Sequence, residues 1–436
     1  MRFPDSFWWG ASTSAYQVEG AVDADGRVPS IWDTFGATPG RIQNGDTGAR
    51  AADHYHRYAE DVAAMAALGL SAYRFSVAWP RLANLDFYDR LVDALLARDI
   101  RPVATLYHFD LPQSLEDAGG WANRDTAYRF ADFAEAVAAR IGDRVAMWNT
   151  LNEPWCTAFL GYGTGVHAPG RRDDPFRAAH HLLLAHGLAV PVLRARSAAP
   201  VAIALNGGTV RPVSADPADV AAARRIDALL NRIFFDPVLR GRYPDDLEAD
   251  SDWSFVRDGD LAAIGAPLDA LGVNYYQPDL VGAADPPAPD PGNPYPTGGT
   301  VRHHTPPGPV TDMGWPIDPT GLRDMLLRVT EDYGPVPLYV TENGAAFPDR
   351  IEDGRVHDDA RIAYLQGHLA AVHEAITKGA DIRGYFVWSL LDNFEWAYGY
   401  GKRFGLLHVD YATLARTPKD SALWYRDVIR RGGLSV

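Results

Sequence analysis

Short apolar runs recur along the chain and alternate with longer stretches whose apolar positions repeat every three to four residues. Runs at 7–13, 72–78, 102–108, 145–151, 201–206, 270–275, 338–341 and 384–389 read as strands. Amphipathic stretches at 53–68, 87–97, 124–141 and 357–378 read as helices between them. Eight βα alternations in one chain predict an α/β fold, a single (β/α)₈ TIM barrel with extended βα loops.

A length of 436 residues leaves room for two or three average domains. No linker-like composition divides the pattern, however, and barrels run long as one unit. Residues 1–436 are therefore expected to form one catalytic barrel domain. Residues 278–319 depart from the alternation, being crowded with Pro and Gly and poor in periodicity. A stretch of that length inside a compact domain is either a tether or a lid. Trp315, near its end, favours a lid.

Composition narrows the partners. A net charge of −15 argues against nucleic acid and anionic membranes, which need a basic face. Of the 41 Lys and Arg residues only Lys378, Lys402 and Lys419 are lysines, which with abundant Ala reads as genomic base bias. Twelve Trp and 20 Tyr suit packed rings or a site that stacks the flat faces of sugars. Cys156 is the single cysteine, so no intrachain disulfide framework is possible. No run approaches a membrane span, and the N-terminal residues have no leader-like character, so a cytoplasmic location is expected.

A barrel enzyme gathers its chemistry at the C-terminal ends of the strands. Those positions hold Gln17 and Glu19, Arg74, His108, Asn152-Glu153-Pro154, Asn274-Tyr275-Tyr276, Glu342-Asn343-Gly344, and Trp388 leading to Glu395-Trp396. Acids, amides and aromatics converge there without a Ser or Cys nucleophile pattern or a phosphate loop. Two glutamates, each followed at once by turn formers, fit glycoside hydrolysis. That reaction needs one carboxylate at the anomeric carbon and one carboxylic acid at the leaving oxygen.

The segments FWWGASTSAYQVEG, SIWDTF, YRFSVAWPR, TLYHFDLP, TLNEPW, GVNYY, MGWPIDP, YVTENG and FVWSLLDNFEW run from one end of the chain to the other. Together they resemble glycoside hydrolase family 1 from Phe3 to about Ile429. The resemblance implies a retaining β-glycosidase, β-glucosidase-like, that acts by double displacement on terminal non-reducing β-D-glycosides without cofactor or metal. It implies that Glu153 is the acid/base and Glu342 the nucleophile. Arg74, Tyr276 and Asn274 would support the nucleophile. Gln17, His108, Asn152, Glu395 and Trp396 would bind hydroxyls, with Trp388 as the sugar platform and Trp315 as an aglycone wall. A nearby Arg and Tyr would favour the ionised nucleophile, while its negative charge would keep Glu153 protonated at the start.

Two departures from the family pattern stand out. Phe109 follows His108 where most β-glucosidases of the family carry Trp, so one N–H donor is missing. Phe there is common in the 6-phospho-glycosidase branch. Its phosphate-binding Ser, Lys and Tyr read here as Glu395, Lys402 and Phe404, and a carboxylate at 395 would repel a phosphate. The 80–86 loop is also short. Glu153 itself argues against the thioglucosidase branch, which carries Gln. A transglycosidase or an inactive sugar-binding barrel would share the architecture; two intact glutamates disfavour the inactive reading. GYGTG at 161–165 follows no strand directly, and His54, His56, His180, His181, His186, His303 and His304 show no metal spacing with a carboxylate. Cys156 reads as a small buried hydrophobe.

Overall fold

A computed structural model describes residues 1–288 and 293–435. Eight parallel strands close into a barrel: β1 (Trp8–Ser12), β2 (Ala72–Ser76), β3 (Arg101–Tyr107), β4 (Met147–Asn152), β5 (Val201–Asn206), β6 (Leu271–Asn274), β7 (Leu338–Asn343) and β8 (Ile382–Trp388). Every predicted strand is present, with its bounds moved by at most two residues. The one with consequence is β7, which runs on through Glu342 and Asn343, so the nucleophile candidate lies within the sheet.

The barrel closes by joining its ends. β1 pairs with β8 from Trp8↔Gly384 to Ser12↔Trp388, and with β2 from Gly10↔Ala72 to Ser12↔Arg74. Beneath it, Arg2 bridges Gly433, and the Met1 amino group donates to the Leu434 carbonyl. Both chain ends therefore sit below the strands, away from their C-terminal rims.

The lower interior is filled by Ala72, Val103, Met147, Ala202, Tyr339 and Phe386, roughly one residue per strand. This packed layer makes the barrel a solid support with an opening at one end only. Around it run α1 (His54–Leu68), α2 (Asp86–Leu96), α3 (Asp125–Ile141), α4 (Pro175–Arg196), α5 (Pro217–Asp227), α6 (Pro319–Tyr333), α7 (Asp359–Thr377) and α8 (Asp420–Arg431). Helices α4, α5 and α6 each begin Asp-Pro. The Asp accepts from the backbone of Phe176, Ala218 or Thr320, and Pro supplies a preset φ where no amide partner is needed.

The 278–319 segment is less irregular than its composition implies. Asp279–Ala283 pairs antiparallel with Val301–His304 and parallel with Val210–Pro212, giving a three-stranded sheet. Strands this short carry too few residues to show periodicity among prolines and glycines. Part of the expected lid, residues 289–292, lies outside the described residues.

Candidate active site

Each rim position is fixed by the strand beneath it. Arg74 sits on β2, wholly buried, and its guanidinium forks between two partners. Nη1 donates to Glu342 Oε1 at 2.6 Å, and Nη2 donates to Asn152 Oδ1 at 2.5 Å. The Tyr276 hydroxyl donates to the other oxygen of Glu342 at 2.7 Å. Glu342 thus has a cation on one oxygen and a phenol on the other, a setting suited to a carboxylate anion. Burial and Glu342 push the Tyr276 phenol well above its ordinary value, so it remains a donor. Gly344, just beyond, admits the close approach of the Trp388 backbone; a Cβ there would meet the Trp388 carbonyl at 1.7 Å.

Glu153 has different company. Its Oε1 accepts from Asn274 Nδ2 at 2.8 Å and its Oε2 from the Cys156 thiol at 3.0 Å. Burial, then the negative charge of Glu342, raises its pKa to about 7. The two donors and Arg74 act in the opposite direction but do not cancel the rise. The two glutamates therefore sit in different settings, Glu342 between a guanidinium and a phenol and Glu153 between an amide and a thiol.

Two expectations change at this point. Asn274, read as support for the nucleophile, places its amide on Glu153 and on Asn152 Oδ1 (3.0 Å), and its carbonyl accepts from Thr341. It meets Glu342 only as a paired residue on the adjacent strand. Cys156 lies one helical turn after Glu153 and is half-buried in the cavity wall, with its thiol on the carboxylate; it is not simply core. The i, i+3 spacing was the available signal.

On the floor, Gln17 Nε2 donates to Asn393 Oδ1 at 3.1 Å and to Glu395 Oε2 at 3.4 Å, and Ser14 donates to its carbonyl at 2.6 Å. Burial, then Glu342 and Glu153, raises Glu395 to about 8. Asn152 Nδ2 lies 3.1 Å from His108 Nε2. Since Asn152 Oδ1 already accepts from Arg74 and Asn274, its amide is the donor and His108 Nε2 the acceptor. Burial, aided by Arg74, holds His108 well below its ordinary value, so the ring is neutral. That ring stacks between Trp388 (5.7 Å) and Trp396 (6.0 Å), and Phe109 packs on Trp396 at 5.1 Å. Trp315 leans on Tyr276 at 5.4 Å.

Phe109, Glu153 and Trp396 all adopt left-handed backbone, with φ of 76°, 41° and 47°. Such conformations are unfavourable for residues with a Cβ and persist where neighbours fix the chain. The Glu153 amide is held by the Ala204 carbonyl, and the turn at Trp396 by the bond from Glu395 N to Gly399 O.

The remaining rim residue, Glu19, is engaged elsewhere, accepting from Arg81 and the Tyr88 hydroxyl. His180 bonds Asp260 and Tyr243, His181 the Trp121 carbonyl, and His186 Thr150. Among the described residues no group of three or more His, Cys, Asp or Glu side chains could hold a metal ion, and no helix is long and apolar enough to cross a membrane. The residues around both glutamates line one cavity of about 560 Å³.

Comparison with known proteins identifies the family. The family model described as Glycosyl hydrolase family 1 matches residues 1–434. The chain is 54% identical to the thermostable beta-glucosidase B of Thermobispora bispora, over 100% of its own length and 92% of the relative's. It is 49% identical to the bifunctional beta-D-glucosidase/beta-D-fucosidase of Bifidobacterium breve, over 98% of each chain. Among solved structures, the psychrophilic beta-glucosidase of Micrococcus antarcticus superposes with a TM-score of 0.95 at 46% identity, covering 100% of this chain and 98% of that one. The chain belongs to glycosyl hydrolase family 1 and is a retaining β-glycosidase.

Proposed function

We propose that Glu342 is the nucleophile and Glu153 the acid/base of a β-glucoside-cleaving site, with hydroxyls bound by Gln17, His108, Asn152, Glu395 and Trp396. The observation that carries this reading is the asymmetry of the two carboxylates. Arg74 and Tyr276 grip Glu342, whereas Glu153 is held only by an amide and a thiol. In the first step a Glu342 oxygen attacks the anomeric carbon as the glycosidic C–O bond breaks, and Glu153 delivers its proton to the departing oxygen. Forming the ester removes the charge on Glu342, which lowers the pKa of Glu153. Glu153 then takes a proton from water, whose oxygen displaces Glu342 from the anomeric carbon.

Trp388 is the platform under the sugar, Trp315 the wall beside the aglycone, and the 278–319 segment the cover that carries Trp315. The names of the Thermobispora and Bifidobacterium relatives support glucosides, with fucosides as a second glycone. A 6-phosphate is disfavoured, because Lys402, the one matching cation, is spent on Asp312 at 3.1 Å while Glu395 faces the cavity. Hydrolysis of p-nitrophenyl β-glycosides with and without a 6-phosphate tests the substrate. Proton NMR of the first-released anomer tests the stereochemistry: initial β-sugar is expected, and initial α-sugar would overturn the assignment.

A further inference from the structure

Glu395 and Trp396 do not stand on a strand. They lie on the long connection between β8, which ends at Trp388, and the short strand Leu407–Val409. The barrel alone cannot fix a side chain there, so its position depends on what grips the connection. On the inner side the grip is Gln17. The Phe394 amide donates to the Gln17 carbonyl, and Gln17 Nε2 donates to the Phe394 carbonyl and to Asn393 Oδ1.

On the outer side two residues do the same work. Asp392 is wholly buried, and its oxygens collect four donors. Oδ1 accepts from Lys419 Nζ at 2.7 Å and from the Gly405 amide at 3.0 Å. Oδ2 accepts from Arg403 Nη1 at 2.6 Å and from the Val409 amide at 3.4 Å. One carboxylate thereby pins the start of the connection to its end. Gly405 permits the close approach, since a Cβ there would meet the Asp392 amide at 2.1 Å. A carboxamide would serve only half of these donors, because its nitrogen accepts nothing. The Tyr411 hydroxyl donates to the Asn393 carbonyl at 3.1 Å, and the Arg403 guanidinium lies over its ring at 5.0 Å. Asp392, Arg403 and Tyr411 are not among the described residues that line the cavity. Any effect of theirs on the sugar must pass through the connection they hold.

Resting on the hydroxyl-binding role given above to Glu395, we infer that Asp392 and Tyr411 are positioning residues that hold Glu395 in place for the sugar. The test measures kcat/KM for p-nitrophenyl β-glucoside in Asp392→Asn and Tyr411→Phe, each alone and combined with Glu395→Ala. Tyr411→Phe should lower it roughly threefold to tenfold, the loss of about one hydrogen bond, and Asp392→Asn roughly tenfold or more. With Glu395 already removed, the same changes should cost at most about twofold, because residues that act through one group are not additive. Tyr411→Phe leaves the buried ions untouched, so it carries the test even if Asp392→Asn fails to fold. A purely structural role would lower kcat/KM by the same factor in both backgrounds. That equality, or no fall in either single variant, would overturn the inference while leaving the role of Glu395 standing. A Glu395→Ala enzyme equal to the wild type would overturn that role and this inference together.

Discussion

The thiol of Cys156 donates to Glu153 at 3.0 Å, on the oxygen that Asn274 leaves open. A donor to a carboxylate stabilises the charged form and lowers its pKa. Burial and Glu153 push the thiol's own pKa well up, so it stays protonated and keeps donating. Removing it must therefore raise the pKa of Glu153. Since the general acid has to be protonated, the alkaline limb of kcat/KM, set near the Glu153 value of about 7, should move upward in Cys156→Ala by roughly half to one pH unit. Cys156→Ser keeps a donor and should return the limb toward the wild type. Identical limbs in all three proteins would exclude the thiol from tuning the acid.

Glu342 raises Glu153 through its negative charge. In Glu342→Gln that contribution vanishes, so Glu153 should titrate at lower pH than in the wild type. Carbon-13 NMR of labelled glutamate carboxyls reads this directly, with no turnover required. An unmoved Glu153 resonance would mean that burial alone sets its value.

The two glutamates should also respond differently to leaving groups. Glu342→Gln should abolish turnover of every glycoside, because no glycosyl-enzyme can form. Glu153→Gln should retain the first step for aryl glycosides whose phenols depart without protonation, and the intermediate should accumulate. Pre-steady-state release of p-nitrophenol distinguishes the two; a burst in both variants, or in neither, contradicts the roles assigned to them.

Phe109 packs on Trp396 and presents a ring with no donor to the cavity. Phe109→Trp restores an N–H, worth about 0.5–1.5 kcal/mol net when bonded. Glucoside kcat/KM should rise roughly threefold to tenfold relative to fucoside. Measured ratios for the two p-nitrophenyl sugars that match the wild type would remove this ring from the account of specificity.

Behind the floor, Asp392 accepts from Lys419 at 2.7 Å, Arg403 at 2.6 Å and the backbone of Gly405 at 3.0 Å. Burial alone would raise its pKa; Lys419 and Arg403 outweigh burial and hold it below the ordinary carboxylate value. Asp392→Asn leaves the fully buried Lys419 with Asp349 alone of its two carboxylate partners, which should cost about 1–3 kcal/mol. Because the folded-state pKa is depressed, this stability is present at neutral pH and disappears as pH falls below about 4. Thermal unfolding of the two proteins should therefore differ at pH 7 and converge in acid. A constant gap across pH would point to packing instead.

The barrel was legible because its strands are apolar runs that resist any helical reading, and because eight of them alternate with amphipathic stretches. Glu153, Glu342, Arg74 and Tyr276 were legible through motifs whose spacing the strands preserve. Asn274 was read as support for Glu342, and its amide bonds Glu153 and Asn152 instead; sequence gives its strand but not which neighbour its amide reaches. Cys156 was passed over because a lone cysteine carries no pairing information, although its distance of three residues from Glu153 put it on the same turn. Lys419 and Asp392, 27 positions apart, meet only through the fold, and no local pattern announces a buried ion pair.

The seam between β1 and β8 has a consequence for how the molecule comes to exist. Residues 8–12 cannot pair with 384–388 until nearly the whole chain is available, and closing so long a loop is entropically unfavourable until the remaining strands bring its ends together. Gln17 lies just after the first of these strands, and Asn393 and Glu395 just after the last, and they bond to one another across the seam. During synthesis Glu342 and Glu153 can be in place on β7 and just after β4 while the floor made by Gln17, Asn393 and Glu395 is still missing. A truncated or partly closed barrel would carry both glutamates without the hydrogen-bonded floor that completes the cavity around them.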